Sequence, residues 1–302
     1  MKNALLFPGQ ASQYVGMGRD LHNDVARARE LFDIANDIMG TDLKRICFEG
    51  PAEELKQTRY TQPAIFVHSV IAAELIDEDI SAAAGHSLGE YSALVAAGAL
   101  TFEDGMRLVR KRGELMQESG TRSPGTMAAV IGAEPALVEE VCAEAADTGI
   151  VQPANFNSPG QIVISGSIDG VDRAMALLKE KGVRIVKKLP VSGAFHSPLM
   201  QYAQDELGAV LEQTPISDAR FPVYSNVTAG PERDAADIRE NLLRQVTSPV
   251  LWQKSMENMI ADGVEQFIES GPGNVLQGLL KRVNPDLPCR TAGTLDELRG
   301  SA

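Results

Sequence analysis

Gly85-His86-Ser87-Leu88-Gly89 combines residue types at a spacing that suits nucleophilic chemistry. In a G-x-S-x-G elbow, a strand turns sharply into a helix with the serine at the apex. Glycines two before and two after relieve the crowding of that turn. The serine Oγ then projects above the sheet. The backbone N–H of Leu88 faces the same space near a helix N-terminus, where it can stabilise an oxyanion. The apolar run Ile80–Ala84 before the elbow and the helix-forming Ser92–Ala97 after it supply the strand and helix this turn requires. A structural strand–helix turn is the competing reading.

Serine needs a base, and the chain offers four histidines. His22 opens a polar helix expected at the surface. His68 lies inside Ala64–Val70, as a helix residue satisfied by a neighbouring polar group. His86 adjoins Ser87, so its side chain is expected to point away from the serine's. His196 is left, in the irregular stretch Pro190–Pro198, the kind of loop that presents catalytic side chains. A polar loop histidine is the alternative.

The elements expected around these residues alternate between strand-like and helix-like, the pattern of an α/β protein. Ala4–Phe7 is a short strand feeding a glycine-rich loop. Helices are expected over Leu21–Ile38, Gln62–Ile76, Leu88–Ala97 and, opened by Thr101 and Asp104, Phe102–Ser119. From Met127 to Leu189 the order is β-α-β-β-α-β, the ferredoxin-like unit, with Asn157-Ser158-Pro159-Gly160 as a turn. The expected organisation is therefore a discontinuous host of residues 1–124 and 191–302 with an insertion of 125–190. After the insertion come a helix Leu199–Gln213, a strand Phe221–Tyr224, two helices within Asp237–Ala261, a strand Val264–Glu269, and a last helix opened by Gly271-Pro272-Gly273.

Composition narrows the function. With 28 Lys and Arg against 41 Asp and Glu, the formal charge is −13, which disfavours nucleic-acid binding. No apolar run is long enough to span a membrane, and the start Met1–Gly9 does not read as a secretion signal. Cys47, Cys142 and Cys289 show neither metal spacing nor a disulfide framework. A cytoplasmic, monomeric enzyme without metal or cofactor is expected.

Several further motifs stand in order along the chain: Phe7-Pro8-Gly9-Gln10-Ala11-Ser12-Gln13, the elbow extended to Glu90-Tyr91, Arg112-Gly113, Asn155–Gln161, Gly193–Ser197, Gln245 ahead of Pro249-Val250, and Gly271-Pro272-Gly273. Together they resemble the bacterial malonyl-CoA:acyl carrier protein transacylases over nearly the whole chain. The resemblance implies an α/β-hydrolase-like large subdomain with an inserted ferredoxin-like small subdomain and a cleft between them. It implies Ser87 as the acylated nucleophile, His196 as its base, and N–H groups of Gln10 and Leu88 as the oxyanion hole. It also implies that the Gln245 backbone carbonyl orients the histidine and that Arg112 binds the malonyl carboxylate. By sequence alone Arg112 reads as one of several helix charges. Asn155 and Asn157 either contact substrate in the cleft or hold the turn through side-chain-to-backbone bonds. Phe195 before His196 supports malonyl selection weakly.

The implied reaction is ping-pong transfer of malonyl from malonyl-CoA to the phosphopantetheine thiol of acyl carrier protein, supplying fatty-acid synthesis. A serine hydrolase is the alternative, although its usual late histidine is absent from the 106 residues after His196. So is a polyketide or malonate-decarboxylase malonyltransferase. The carrier protein is acidic by the same resemblance, so docking calls for a local basic patch. Lys179–Lys188 is the richest basic stretch, and Lys181, Arg184, Lys187 and Lys188 are its docking candidates.

Overall fold

The computed structural model describes residues 2–191 and 193–300. The strands are β1 (Asn3–Phe7), β2 (Ile80–Gly85), β3 (Gly125–Ile131), β4 (Val151–Ser158), β5 (Gln161–Ser167), β6 (Ile185–Lys188), β7 (Val223–Tyr224), β8 (Pro231–Glu232), β9 (Gln266–Glu269) and β10 (Cys289–Thr291). They form two sheets. The larger is six-stranded, in the order β10-β9-β1-β2-β7-β8. Its strands run parallel except for the β7–β8 pair. Leu5 and Phe7 of β1 face one apolar cluster, and Ala4 and Leu6 face another. This two-sided burial explains why the strand is an unbroken apolar run instead of an alternating one.

The smaller sheet has the order β4-β5-β3-β6 and is antiparallel throughout. With the helices Pro135–Ala145 and Ile168–Glu180 on one face, it gives the β-α-β-β-α-β order of a ferredoxin-like unit. Its own apolar cluster runs from Val130 and Val138 to Leu178 and Val186. The fold is therefore α/β with a large and a small subdomain. They meet along β4, where the Val250 N–H donates to Ala154 O at 2.8 Å and the Phe156 N–H to Val250 O at 2.9 Å.

Some elements differ from expectation. The helix expected over Leu21–Ile38 is two, Arg19–Asp24 and Ala26–Met39, because Val25 is extended at φ −112° and ψ 120°. Leu21, Ala28, Leu31, Phe32 and Ala35 are all buried, so the apolar rhythm runs straight across the break. His22 sits in the last turn of the first helix, not at its start, edge-on to Phe32 and Phe48 at 5.9 and 5.3 Å. The chain after Gly271-Pro272-Gly273 holds two helices, Val275–Val283 and Leu295–Arg299, with β10 between them. Short helices Leu43–Glu49 and Ala52–Leu55 were not anticipated. The expected opening of the helix Phe102–Arg122 is present, with Thr101 Oγ1 accepting the Asp104 N–H at 3.0 Å.

Candidate active site

β1 and β2 are neighbouring parallel strands with Phe7 opposite Gly85. The chain order reverses around them, since β9 lies on the far side of β1. Crevices beyond the carboxyl ends of such strands are where α/β folds bind ligands. Gln10 follows β1 there, and Ser87 follows β2. The turn carrying Ser87 is tight. A Cβ on Gly85 would lie 1.9 Å from the Gly89 carbonyl carbon, and one on Gly89 would lie 2.0 Å from Phe7 O. Ser87 itself holds φ 51°, a region few non-glycine residues enter. Its N–H donates to Asn226 Oδ1 at 2.6 Å, and Asn226 Nδ2 donates to Gly85 O at 2.6 Å. Asn226 thus closes the turn from the end of β7.

Ser87 Oγ lies 2.8 Å from His196 Nε2. The opposite ring nitrogen, Nδ1, is 2.8 Å from the Gln245 backbone oxygen. A carbonyl can only accept, so Nδ1 carries the proton and Nε2 is left to accept from the serine. His196 is 3% exposed. Burial, with the positive Arg112 and then His86 nearby, lowers its pKa to about 3, so the ring is neutral at neutral pH. Its backbone is held at φ 57°, and Gln152 Nε2 donates to its carbonyl at 2.9 Å.

Arg112, on the long helix Phe102–Arg122, is 1% exposed. One Nη donates to Gln62 Oε1 at 2.8 Å. The other donates to Ser87 Oγ at 3.0 Å and to Gln245 Oε1 at 2.9 Å. All three acceptors are neutral, and among the described residues no carboxylate pairs with this guanidinium. Glu90 is the acid beneath it. Burial, reinforced by Glu232, pushes Glu90 up to about 8 against the opposing pull of Gln245, Asn226 and Arg112, which disfavours an ionised partner for the guanidinium. A buried cation without an ionised partner is costly, and an entering anion would relieve that cost.

Ser87, His196, Arg112 and Gln62 line a cavity of about 150 Å³ together with Gln10, Leu88, Met116, Asn155, Phe195 and their neighbours. Among the described residues neither the Gln10 nor the Leu88 backbone N–H has an acceptor. Asn155 is on the wall, whereas Asn157 lies behind it, its Oδ1 2.8 Å from His86 Nε2. His68, as expected, is a buried helix residue with Nε2 2.6 Å from Gly293 O. Of the basic stretch, Lys181 pairs with Glu140 and Glu144, and Lys188 with Asp172. Arg184 and Lys187 are exposed, with no ion pair among the described residues. No group of three or more His, Cys, Asp or Glu among the described residues could hold a metal ion, and no helix is long and apolar enough to cross a membrane.

Gln62, Glu90, Asn226 and Gln152 were missed as site residues by sequence reasoning. Gln62 is a polar residue directly before the apolar run Pro63–Val67 of its helix, and Asn226 follows a strand end. Those are the two signals that could have marked them.

Fold and site together put a serine paired with a histidine in the crevice of an α/β fold, and the class they fit is that of the acyl transferases. The chain belongs to the acyl transferase domain family, whose family model matches residues 4–296. Within it, the chain is 48% identical to the malonyl CoA-acyl carrier protein transacylase of Bacillus subtilis (strain 168) over 287 residues, covering 94% of this chain and 90% of the relative. The solved malonyl CoA-acyl carrier protein transacylase of Coxiella burnetii superimposes with a TM-score of 0.96 at 39% identity, over 100% of this chain and 96% of that one. A malonyl-transacylase solved in complex with its type II PKS acyl-carrier protein gives a TM-score of 0.96 at 40% identity, over 100% and 99%.

Proposed function

We propose that this chain transfers malonyl from malonyl-CoA to the phosphopantetheine thiol of an acyl carrier protein, through a malonyl ester on Ser87. The names of its relatives support the activity. The observation that carries the acyl specificity is the buried Arg112, which makes no ion pair among the described residues and holds an Nη 3.0 Å from the proposed nucleophile. One methylene separates the two carbonyl carbons of malonyl, which puts them about 2.5 Å apart. An acyl group bonded to Ser87 must therefore hold its free carboxylate within reach of that guanidinium.

His196 Nε2 takes the Ser87 proton as Oγ attacks the thioester carbonyl. The N–H groups of Gln10 and Leu88 receive the oxyanion. The C–S bond breaks, and the coenzyme A sulfur leaves with the proton from Nε2. The phosphopantetheine thiol then gives its proton to Nε2 and attacks the ester, and Ser87 recovers that proton as its C–O bond breaks. Gln245 O keeps the imidazole in one tautomer throughout. One thioester replaces another, so this chemistry calls for no cofactor. Asn155 faces the acyl group, while Asn157 contributes through His86.

The substrate-facing segments belong to a discontinuous subdomain of residues 1–124 and 191–302 and an insertion of 125–190, a division supported by the two separate sheets. Carrier docking is assigned to the basic stretch on the insertion, chiefly Arg184 and Lys187. Strand alternation puts Lys187 on the face of Leu189, which lines the cavity. Lys181 and Lys188 contribute less, since each already holds an acidic partner. The protein is read as a cytoplasmic monomer serving fatty-acid synthesis.

A panel of acyl-CoA donors with holo-acyl carrier protein as acceptor tests the activity. Malonyl transfer well above acetyl and succinyl transfer is expected. Equal rates, or release of free malonate in place of malonyl-carrier, would overturn it.

A further inference from the structure

Glu90 is a buried carboxyl beside the reacting groups to which the steps above give no role. It stands three residues after Ser87 on the helix Gly89–Ala96, so it folds back beneath the nucleophile. Its Oε2 accepts from Gln245 Nε2 at 2.8 Å and from the Asn226 N–H at 3.0 Å. Those two residues also reach Ser87, Arg112 and His196. Gln245 Nε2 also donates to Ser87 O at 2.9 Å, and its Oε1 accepts from Arg112 at 2.9 Å. Asn226 holds both the Ser87 N–H and Gly85 O.

The direction of the Gln245 amide matters. An amide can sit either way round, with its oxygen and nitrogen exchanged. Here both neighbours of Nε2, Glu90 Oε2 and Ser87 O, are acceptors. Nε2 must face them, and Oε1 must then face the guanidinium. Without the Glu90 oxygen, the Ser87 carbonyl alone would hold the amide. Turned over, the amide would present N–H groups to Arg112, donor against donor, and push the guanidinium off its place beside Ser87.

We infer that Glu90 is a positioning residue, which locks the Gln245 amide so that Arg112 is held where the malonyl carboxylate arrives. The inference rests on the malonyl reading above. The geometry also separates two tasks of Gln245: its main-chain oxygen serves the base, and its side chain serves acyl selection.

The test compares wild type, Glu90→Leu, Glu90→Gln, Gln245→Ala and the Glu90→Leu/Gln245→Ala double variant, reading the malonyl-to-acetyl ratio of kcat/KM alongside thermal midpoints. Glu90→Leu should lower the ratio about tenfold or more, the effect of disturbing a hydrogen bond to a charged group. Glu90→Gln keeps an acceptor oxygen at the same reach and should restore the ratio. In the double variant, Glu90→Leu should add nothing to the loss caused by Gln245→Ala, because both act through one amide. A lowered melting point with an intact ratio, or losses that add fully in the double variant, would overturn the inference. If Glu90→Leu does not fold, an unchanged ratio in Gln245→Ala overturns it equally. A wild type with no preference for malonyl would instead count against the activity itself.

Discussion

His196 and Arg112 both lie within hydrogen-bond reach of Ser87 Oγ, and the separate tasks proposed for the three can be told apart by single substitutions. Ser87→Ala should abolish the covalent adduct while leaving the melting curve intact, since Oγ serves chemistry and not packing. His196→Ala should slow acylation by about 10²–10⁴-fold, the usual range for a lost general base, as followed by rapid-quench mass spectrometry. The pH dependence has a sign. As the proposed base His196 must be neutral, and its pKa is lowered to about 3, first by burial and then by Arg112. Activity should therefore persist as pH falls through 6.5, the ordinary histidine value, and a half-loss of kcat/KM near that pH would contradict the assignment. Arg112→Ala should narrow the malonyl preference by roughly 10–100-fold, the equivalent of about 1.5–3 kcal/mol for a charge-assisted bond. Ser87 was legible through the elbow spacing with a strand before it and a helix after it, and His196 through elimination among four histidines together with the motif resemblance. The Gln245 role was not derivable from the residues, because a backbone carbonyl leaves no trace in side-chain identity. Glu90 was hidden for another reason: an acid on a helix usually marks a solvated face, and only the packing of Asn226 and Gln245 over it makes it a buried one.

Among the elements, the strand–elbow–helix unit of β2 is the most constrained. Gly85→Ala and Gly89→Ala each force a Cβ into backbone atoms at 1.9 and 2.0 Å, so both should unfold the protein or lower its melting point sharply. Gly278 is the contrast. It sits in the helix Val275–Val283, and a Cβ there meets nothing within 4 Å. Gly278→Ala should stabilise by about 0.8–1.0 kcal/mol, measured by urea unfolding. The long elements and the ferredoxin-like order were readable from apolar rhythm and turn residues. The break at Val25 was not, because Leu21 and Ala28 stand seven residues apart, two helical turns, and keep one face buried across it. β8 and β10, of two and three residues, are too short for alternation to show and exist through their neighbours in the sheet.

At the scale of the whole molecule, stability should record the buried carboxyls. Burial raises Glu90 to about 8 and Glu269 to about 7 from an ordinary 4.5. Between pH 4.5 and 8 the native state keeps protons that the unfolded chain has released, so these groups cost stability progressively as pH rises. Glu90→Gln removes one of them, and its melting point relative to wild type should improve steadily from pH 5 to pH 8. An offset independent of pH would mean Glu90 is ionised in the folded protein. Docking belongs to this scale too. The chain carries a formal charge of −13, so the proposed docking of an acidic carrier relies on local cations, of which Arg184 and Lys187 are the candidates. Reversing both charges should raise KM for the carrier, more so at low salt, and leave acylation by malonyl-CoA untouched. The central claim, that malonyl passes through Ser87 to a carrier thiol, is tested most directly by peptide mass mapping after brief mixing with malonyl-CoA, before and after adding holo-acyl carrier protein. A malonyl group on the peptide containing Ser87 that disappears as malonyl-carrier forms is the expected result. A label on any other residue, or one lost to water as free malonate while the carrier stays unloaded, would contradict it.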